Sequence, residues 1–298
     1  MTILGIGEIV LDKVNVLNNH PLDGEKIQAT QTNYTVGGPV PSALILLSKL
    51  GLNCTMIGNI GNDPAGRLLN QMMKKYNINL FSKLQRNTKT NTVLVNSQNG
   101  SRTIIKDQAR TKPLCKIPQD LIRSADIIIF DRHEPLAFQQ VIKHKRKNTK
   151  IVIDPSTEIS PKTLEMIKHA DYPIIPIESL QKMSLSKLYQ IAKRDIIVTL
   201  GDRGSLIFNR KGIRFFPAYN IKAIDTLGAG DVFRGAYAYG VAQKWSKSRM
   251  IKFANMVSAL QCTRIGNGTA IPTLQEIINF EKSAKPKKLT IKHLNLNI

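Results

Sequence analysis

The chain has 298 residues, 42% hydrophobic and 21% charged, which is enough to build one large α/β domain with a full core. No apolar run approaches the about 20 residues that a membrane-spanning helix requires, and three scattered cysteines (Cys54, Cys115, Cys262) fit neither a disulfide framework nor a zinc site. Forty-three Lys and Arg against 21 Asp and Glu give a net charge of +22, yet the basic residues spread from end to end and aromatics make up only 6%, so base stacking on nucleic acid has little to work with.

The first residues, MTILGIGEIVLDKV, read as a buried strand over 3–11 and show neither a basic leader nor a small-residue cleavage site. Residues 12–36 are more polar, with turn signals at Asn18-Asn19 and Asp23-Gly24 and a stretch that alternates like an exposed strand. Gly37-Gly38 leads into a helix over 41–51, with Pro41 in its first turn and Gly51 as its stop. A strand over 54–61 and a helix over 64–76 follow. Two alternating stretches then flank Asn99-Gly100, a hairpin signal. From residue 120 onward apolar strands alternate with helices near 135–146, 161–169 and 184–194. A hairpin turning at Lys211-Gly212 precedes helices over 230–243, 247–262 and 273–283.

This alternation predicts a doubly wound, mostly parallel sheet covered by helices on both faces. The polar pieces at 12–36 and 88–110 do not suit that sheet and are expected to form a small β-layer standing off it, inserted in a single domain of residues 1–298. The three thiols are expected to be buried, in a reducing cytoplasm. The basic clusters at 143–150 and 282–292 read as a solvated helix end and a frayed terminus. A diffuse positive field would favour anionic ligands.

The most informative segment is Asp225-Thr-Leu-Gly-Ala-Gly-Asp-Val-Phe-Arg-Gly. Gly228, Ala229 and Gly230 open a helix, so a ligand can approach the backbone closely. The free N–H groups of residues 228–231 and the positive end of the helix dipole would then form a hole for anionic oxygens. A carboxylate beside that hole, Asp231, can take a proton from a hydroxyl while phosphates are held in front of it. Asp is also a favoured helix cap, so the loop taken alone has a structural reading.

The whole string, DTxGAGD followed by F-x-G, resembles the signature of the ribokinase-like carbohydrate kinases (pfkB family), and the likeness continues along nearly all of the chain. Gly37-Gly38 with Ser42 resembles a GG-x-x-x-N-like turn near the substrate. Asn59 to Gly66 is similar to a G-x-D-x-x-G segment, and GSRTII at 100–105 to a lid strand pair. Thr199-Leu-Gly-Asp-Arg-Gly204 resembles the T-L-G-x-x-G turn on the nucleotide side, and 262–272 the loop that closes over the adenine. The resemblance implies a ribokinase-like fold with a β-sheet lid, ATP and Mg2+ as cofactors, a sugar-like acceptor and a homodimer joined through the lid. Asp231 is then the catalytic base and Gly228, Ala229 and Gly230 its anion hole. Asp12, Gly37, Gly38 and Ser42 belong to the acceptor pocket. Thr199, Gly201, Gly204, Thr226, Gly228, Gly230 and Asn255 belong to the nucleotide side, and Asp225 is a place for potassium.

Arg102, Lys106 and Arg110 fall on or beside the lid and read either as surface charge or as partners for an anionic acceptor. His133 and Glu134 end a strand where ligands bind in such sheets. One departure concerns magnesium. The family's N-x-x-E pattern meets Ile177 and Leu180 here, and Glu178 lies out of register. Either Glu178 substitutes, or the triphosphate and water arrange the metal, or the chain is an inactive relative. The acceptor stays open between neutral, acidic and phosphorylated sugars. An adenosine-type nucleoside kinase is the rival within the fold, with Tyr34 the only aromatic in 12–36. A non-catalytic nucleic-acid-binding protein is the rival outside it.

Overall fold

The computed structural model describes residues 1–107, 112–266, 268 and 270–291. In chain order its strands are β1 (Thr2–Ile6), β2 (Val10–Leu17), β3 (Gln31–Gly37), β4 (Asn53–Gly61), β5 (Ile78–Gln85), β6 (Thr90–Asn96), β7 (Arg102–Lys106), β8 (Ile127–Asp131), β9 (Lys150–Asp154), β10 (Tyr172–Pro176), β11 (Ile196–Thr199), β12 (Gly204–Asn209) and β13 (Gly212–Pro217). The helices are α1 (Pro39–Lys49), α2 (Pro64–Lys75), α3 (Gln119–Ser124), α4 (Pro135–His144), α5 (Pro161–His169), α6 (Leu185–Ala192), α7 (Ala229–Ala242), α8 (Lys247–Gln261) and α9 (Leu274–Ser283).

The main sheet has nine strands in the order β13-β12-β11-β10-β9-β8-β1-β4-β5, parallel except for the β12–β13 hairpin at one edge. Its inner strands are buried on both faces, which is why they read as unbroken apolar runs. Alternation still sorts the side chains. Ile127 and Ile129 of β8 join the core under α1, α7 and α8, while Ile128 and Phe130 join the core under α3, α4 and α5. A third cluster packs α6 against β10, β11 and β12. This is the doubly wound sheet that the alternating pattern predicts.

The second sheet has four strands, β3-β2-β6-β7. Strand β2 runs antiparallel to β3 and parallel to β6, and β7 returns from the Asn99-Gly100 hairpin with Val95 opposite Arg102. Asp12, Val14 and Val16 share one face of this lid with Asn91, Val93 and Val95; Lys13 and Tyr34 share the other. Val14, Val93 and Val95 form a buried cluster with Leu227 of the glycine-rich segment, so the lid rests on that segment.

Several local expectations are corrected. The strand expected over 3–11 breaks between Ile6 and Val10, because the chain there leaves the main sheet for the lid. A side chain at Gly7 would collide with the Asp131 carboxylate. Strand β5, an edge strand with Phe81 and Leu84 exposed, and the short α3 were not legible in the apolar pattern. Cys115 is exposed, whereas Cys54 and Cys262 are buried. The basic tail is not frayed at 285–287, where the Lys285 carbonyl accepts the Asn220 amide and the Lys287 amide donates to the Ala218 carbonyl. Arg110 lies outside the described residues.

Candidate functional site

The glycine-rich segment arrives at α7 through a tight turn. Gly228, the residue before the helix, takes φ +75, a conformation that a side chain would strain, and no side chain caps the helix. The Ala229 amide donates to the Thr226 carbonyl at 3.3 Å, which leaves the hole to its neighbours. Gly230 faces open space: a side-chain carbon there would touch nothing within 4 Å. The first turn therefore keeps N–H groups and the positive end of the dipole open to a ligand.

Asp231 is the third residue of α7, and its side chain is 22% exposed. Burial pushes its carboxyl up to about 6; Arg234 opposes the rise, Asp154 and Asp131 add to it, and Arg102 opposes it. Such a group is half-ionised near pH 6 and mostly ionised at neutrality, suited to accept a proton.

Asp225 has a different task. It is buried, one oxygen accepts the Leu227 amide at 2.8 Å, and the other accepts the Gly266 amide at 2.9 Å. The amides of Ile224 and Asp225 in turn donate to the Cys262 carbonyl. This acid pins the motif to the closing loop, and the buried Ala270 adds no side-chain oxygen beside it. Among the described residues no group of three or more His, Cys, Asp and Glu could hold a metal.

On the lid side, Asp12 sits within β2 and accepts the Asn91 side-chain amide at 2.9 Å. Burial pushes it up to about 6, Asn91 opposes this, and Glu8 adds to it. Gly37 lies so close that any side chain there would collide with the Asp12 carboxylate, and Gly38, at φ +105, abuts the Glu8 carbonyl. Ser42 is fully buried and its hydroxyl donates to the Gly38 carbonyl at 2.9 Å. Glu8 pairs with Lys89 and lies 3.8 Å from the His133 ring. The buried Asp131 accepts the amides of Glu8 at 2.9 Å and His133 at 2.8 Å. Glu134 is turned inward, accepting the Leu114 amide at 2.8 Å, and burial pushes it up to about 7. Of that pair, His133 is the one beside Glu8.

Arg102 of β7 donates to the Thr226 hydroxyl at 2.7 Å, so a residue assigned from sequence to the acceptor side meets one assigned to the nucleotide side. Behind it, Gly100 is pressed against the Ile224 carbonyl.

On the far edge, Thr199 ends β11 and the chain turns through Gly201 at φ +62 and Gly204 at φ +116. Both glycines answer to the turn, and Gly204 also to the Phe216 carbonyl beside it. Asn255 faces β12 and β13 rather than the closing loop. Its oxygen accepts from Ser205 at 2.9 Å and its amide reaches the carbonyls of Phe216 and Pro217 at 3.0 and 3.2 Å. Glu178 is exposed on a 3₁₀ turn (Ile177–Gln181) whose Ile177 and Leu180 pack onto the core under α6. An apolar pair at those positions holds the turn down instead of offering oxygens.

Sequence reasoning missed Asp131, Asp154 and Arg234. Asp131 and Asp154 close two apolar strands at their carboxyl ends, where ligands bind in open α/β sheets, and that was a usable signal. Arg234 stands three residues after Asp231, on the same helix face.

The profile of the family described as "pfkB family carbohydrate kinase" matches residues 2–274. A ribokinase of Lactococcus lactis is 29% identical over 300 residues, covering 96% of this chain and 97% of its own. A ribokinase structure from Thermotoga maritima superposes with a TM-score of 0.81 at 24% identity, over 94% of this chain and 99% of that one. An Arabidopsis thaliana ribokinase structure, complexed with ribose and ATP, has a TM-score of 0.78 at 20% identity over 94% and 98%.

Proposed function

The chain belongs to the pfkB family of carbohydrate kinases, ATP-dependent phosphotransferases, and from that premise we propose that it phosphorylates a hydroxyl of a neutral sugar of pentose size, with Asp231 as the base. The observation that carries the reading is the half-buried Asp231 carboxyl on an uncapped, glycine-lined helix start, beneath a lid that reaches over it from Arg102. The names of the relatives support the pentose. Asp12 with Asn91 beside it suits acceptor hydroxyls better than a phosphate or carboxylate.

In the mechanism, Asp12 and its partner Asn91 hold acceptor hydroxyls against the lid. Gly37 and Gly38 leave room beside them, with Ser42 bracing the turn from below. The amides of Gly228, Gly230 and Asp231 and the positive end of α7 bind the oxygens of the transferred group. Asp231 takes the hydroxyl proton as the oxygen attacks phosphorus in line and the β-phosphate oxygen leaves. Thr199, Gly201, Gly204 and Thr226 border the nucleotide, and Asn255 fixes the β12–β13 wall behind it. Magnesium, bound with the triphosphate, would neutralise phosphate charge, and Glu178 is the carboxylate of the 3₁₀ turn that would help to hold it. A potassium ion beside Asp225 would share that carboxylate with the Leu227 and Gly266 amides, and no step runs through it.

The nucleoside alternative finds less support: Tyr34 pairs with Lys13 on the lid face opposite Asp12, where it cannot stack on a base held by Asp12. That outer face, with Tyr34 and Ile105 exposed, is the one by which two copies would join. We read 1–298 as one kinase domain with the lid inserted, acting in the cytoplasm. No helix of the described residues is long and apolar enough to cross a membrane.

The test is ADP release from ATP and Mg2+ across D-ribose, 2-deoxy-D-ribose, hexoses, sugar acids, sugar phosphates and nucleosides, with Asp231→Asn as control. Turnover of a pentose that vanishes in the variant supports the reading. Turnover that persists in the variant overturns the mechanism. Salt-sensitive retention of nucleic acid with no turnover on any acceptor would favour the binding-protein alternative.

A further inference from the structure

A buried cation lies beneath Asp231. Arg234 is only 2% exposed, among the largest fully buried side chains of the molecule. Its Nη2 bonds the Asp154 carboxylate at the carboxyl end of β9 and stands 3.5 Å from Asp231 Oδ1. Its Nε and Nη1 are buried with no hydrogen-bond partner. A guanidinium cannot shed its proton inside a protein, and buried donors left unpaired are costly. An arginine kept there only to stitch α7 to the sheet would be expected to spend its donors.

Asp154 extends the arrangement. Its second oxygen accepts the Ser156 amide at 2.6 Å, and Ser156 holds a left-handed φ of +55 that a non-glycine residue rarely adopts. The Ser156 carbonyl accepts the Ser179 hydroxyl at 2.9 Å. Ser179 belongs to the 3₁₀ turn in which Ile177 and Leu180 replace the expected polar pair. Hydrogen bonds thus run from that turn through Ser156, Asp154 and Arg234 to the edge of Asp231.

We propose that Arg234 is a positioning residue for phosphoryl transfer: anchored by Asp154, its fixed charge keeps the Asp231 carboxylate ionised and aimed from the first turn of α7. The inference rests on Asp231 being the base. The charged groups that face Asp231 are Arg234 from its own helix, Asp154 from β9, Asp131 from β8 and Arg102 from β7. Arg234 is the nearest cation, and only Arg234 and Asp154 are tied to each other.

The experiment is the pH profile of kcat/KM with ATP, Mg2+ and D-ribose, or the first acceptor of the panel that turns over. In Arg234→Met the acid limb moves to higher pH by about 1 unit, the size expected when a carboxylate loses an adjacent arginine. Arg234→Lys restores it. In Asp154→Asn the limb moves the other way, because a like charge is gone while the cation remains. If a single variant fails to fold, Asp154→Asn/Arg234→Met removes the buried pair together, and its limb still rises, by less than in Arg234→Met, since the cation outweighs the Asp154 carboxylate at Asp231. Folded variants whose acid limb stays at the wild-type position overturn the inference alone, provided wild type is active and Asp231→Asn is not. A wild type that turns over no acceptor overturns the kinase reading and this inference with it.

Discussion

Arg102 of the lid donates to the hydroxyl of Thr226, two residues before the glycine hole, at 2.7 Å. Their separation of 124 residues makes this a tertiary latch between lid and phosphate side. An exposed charged hydrogen bond of this kind contributes about 1 kcal/mol, since water competes for both partners. Arg102→Ala and Thr226→Val should each lower kcat/KM by about 5-fold, and the double variant by little more, because both remove the same bond. Additive losses in steady-state kinetics would show that the two side chains act separately.

Asp231→Asn removes the base but keeps the shape of the helix turn. Activity should fall by about 10²–10⁴-fold, the usual range for a general base. The melting temperature should hold or rise, because a carboxyl pushed up by burial costs stability when ionised. In wild type the base must be deprotonated, so the rate should climb with pH through about 6 and reach a plateau above it. A flat wild-type profile between pH 5 and 7 would exclude Asp231 as the titrating group.

Glu134 gives a stability signal separable from activity. Its carboxyl is pushed up to about 7 from an ordinary 4.5, chiefly by burial. The folded state therefore binds this proton more tightly than the unfolded chain. The resulting stability is complete below about pH 4.5 and is lost as pH rises through 7. Asp12 and Asp231 act with the same sign but finish near 6, and the buried Asp131 is raised as well, so the share of Glu134 over the interval from 4.5 to 7 is read as the difference between wild type and a Glu134 variant. Glu134→Gln retains an acceptor for the Leu114 amide. It should melt roughly 2–5 °C above wild type at pH 8 and level with it near pH 4. Parallel melting curves for the two proteins across that interval would rule this out.

What could be read from sequence was local. Strand and helix periods and the contiguous 225–231 motif lie within a few residues of themselves, so the sheet and the Asp231 turn were visible in advance. Strand β5 was not, because an edge strand half open to water loses the apolar run that marks its neighbours. The tie between Asp225 and the closing loop shows only when the Gly266 amide, 41 residues on, is seen to bond it. Nothing around Arg234 in the sequence announces Asp154, 80 residues earlier, beside it. Such pairings are set by how the elements pack, and one sequence carries no record of them.

The lid hairpin offers a sharper test of how the two halves fit. Gly100 has φ +69, and a side chain there would meet the Ile224 carbonyl, one residue before the motif. Two causes could demand glycine, and Asn separates them, because it tolerates the left-handed conformation but not the collision. If conformation dominates, Gly100→Ala should lose activity and Gly100→Asn should recover most of it. If the close approach dominates, both should push the hairpin off Ile224, loosen Arg102 from Thr226 and lower kcat/KM by about 10-fold or more. We expect the second outcome, because the opposing atom is a backbone oxygen whose residue is itself fixed by the bond to Cys262. Melting temperature should change far less than activity in both variants, since the hairpin lies outside the main sheet and its three cores. Full activity in Gly100→Asn would show that the lid does not need this contact to close.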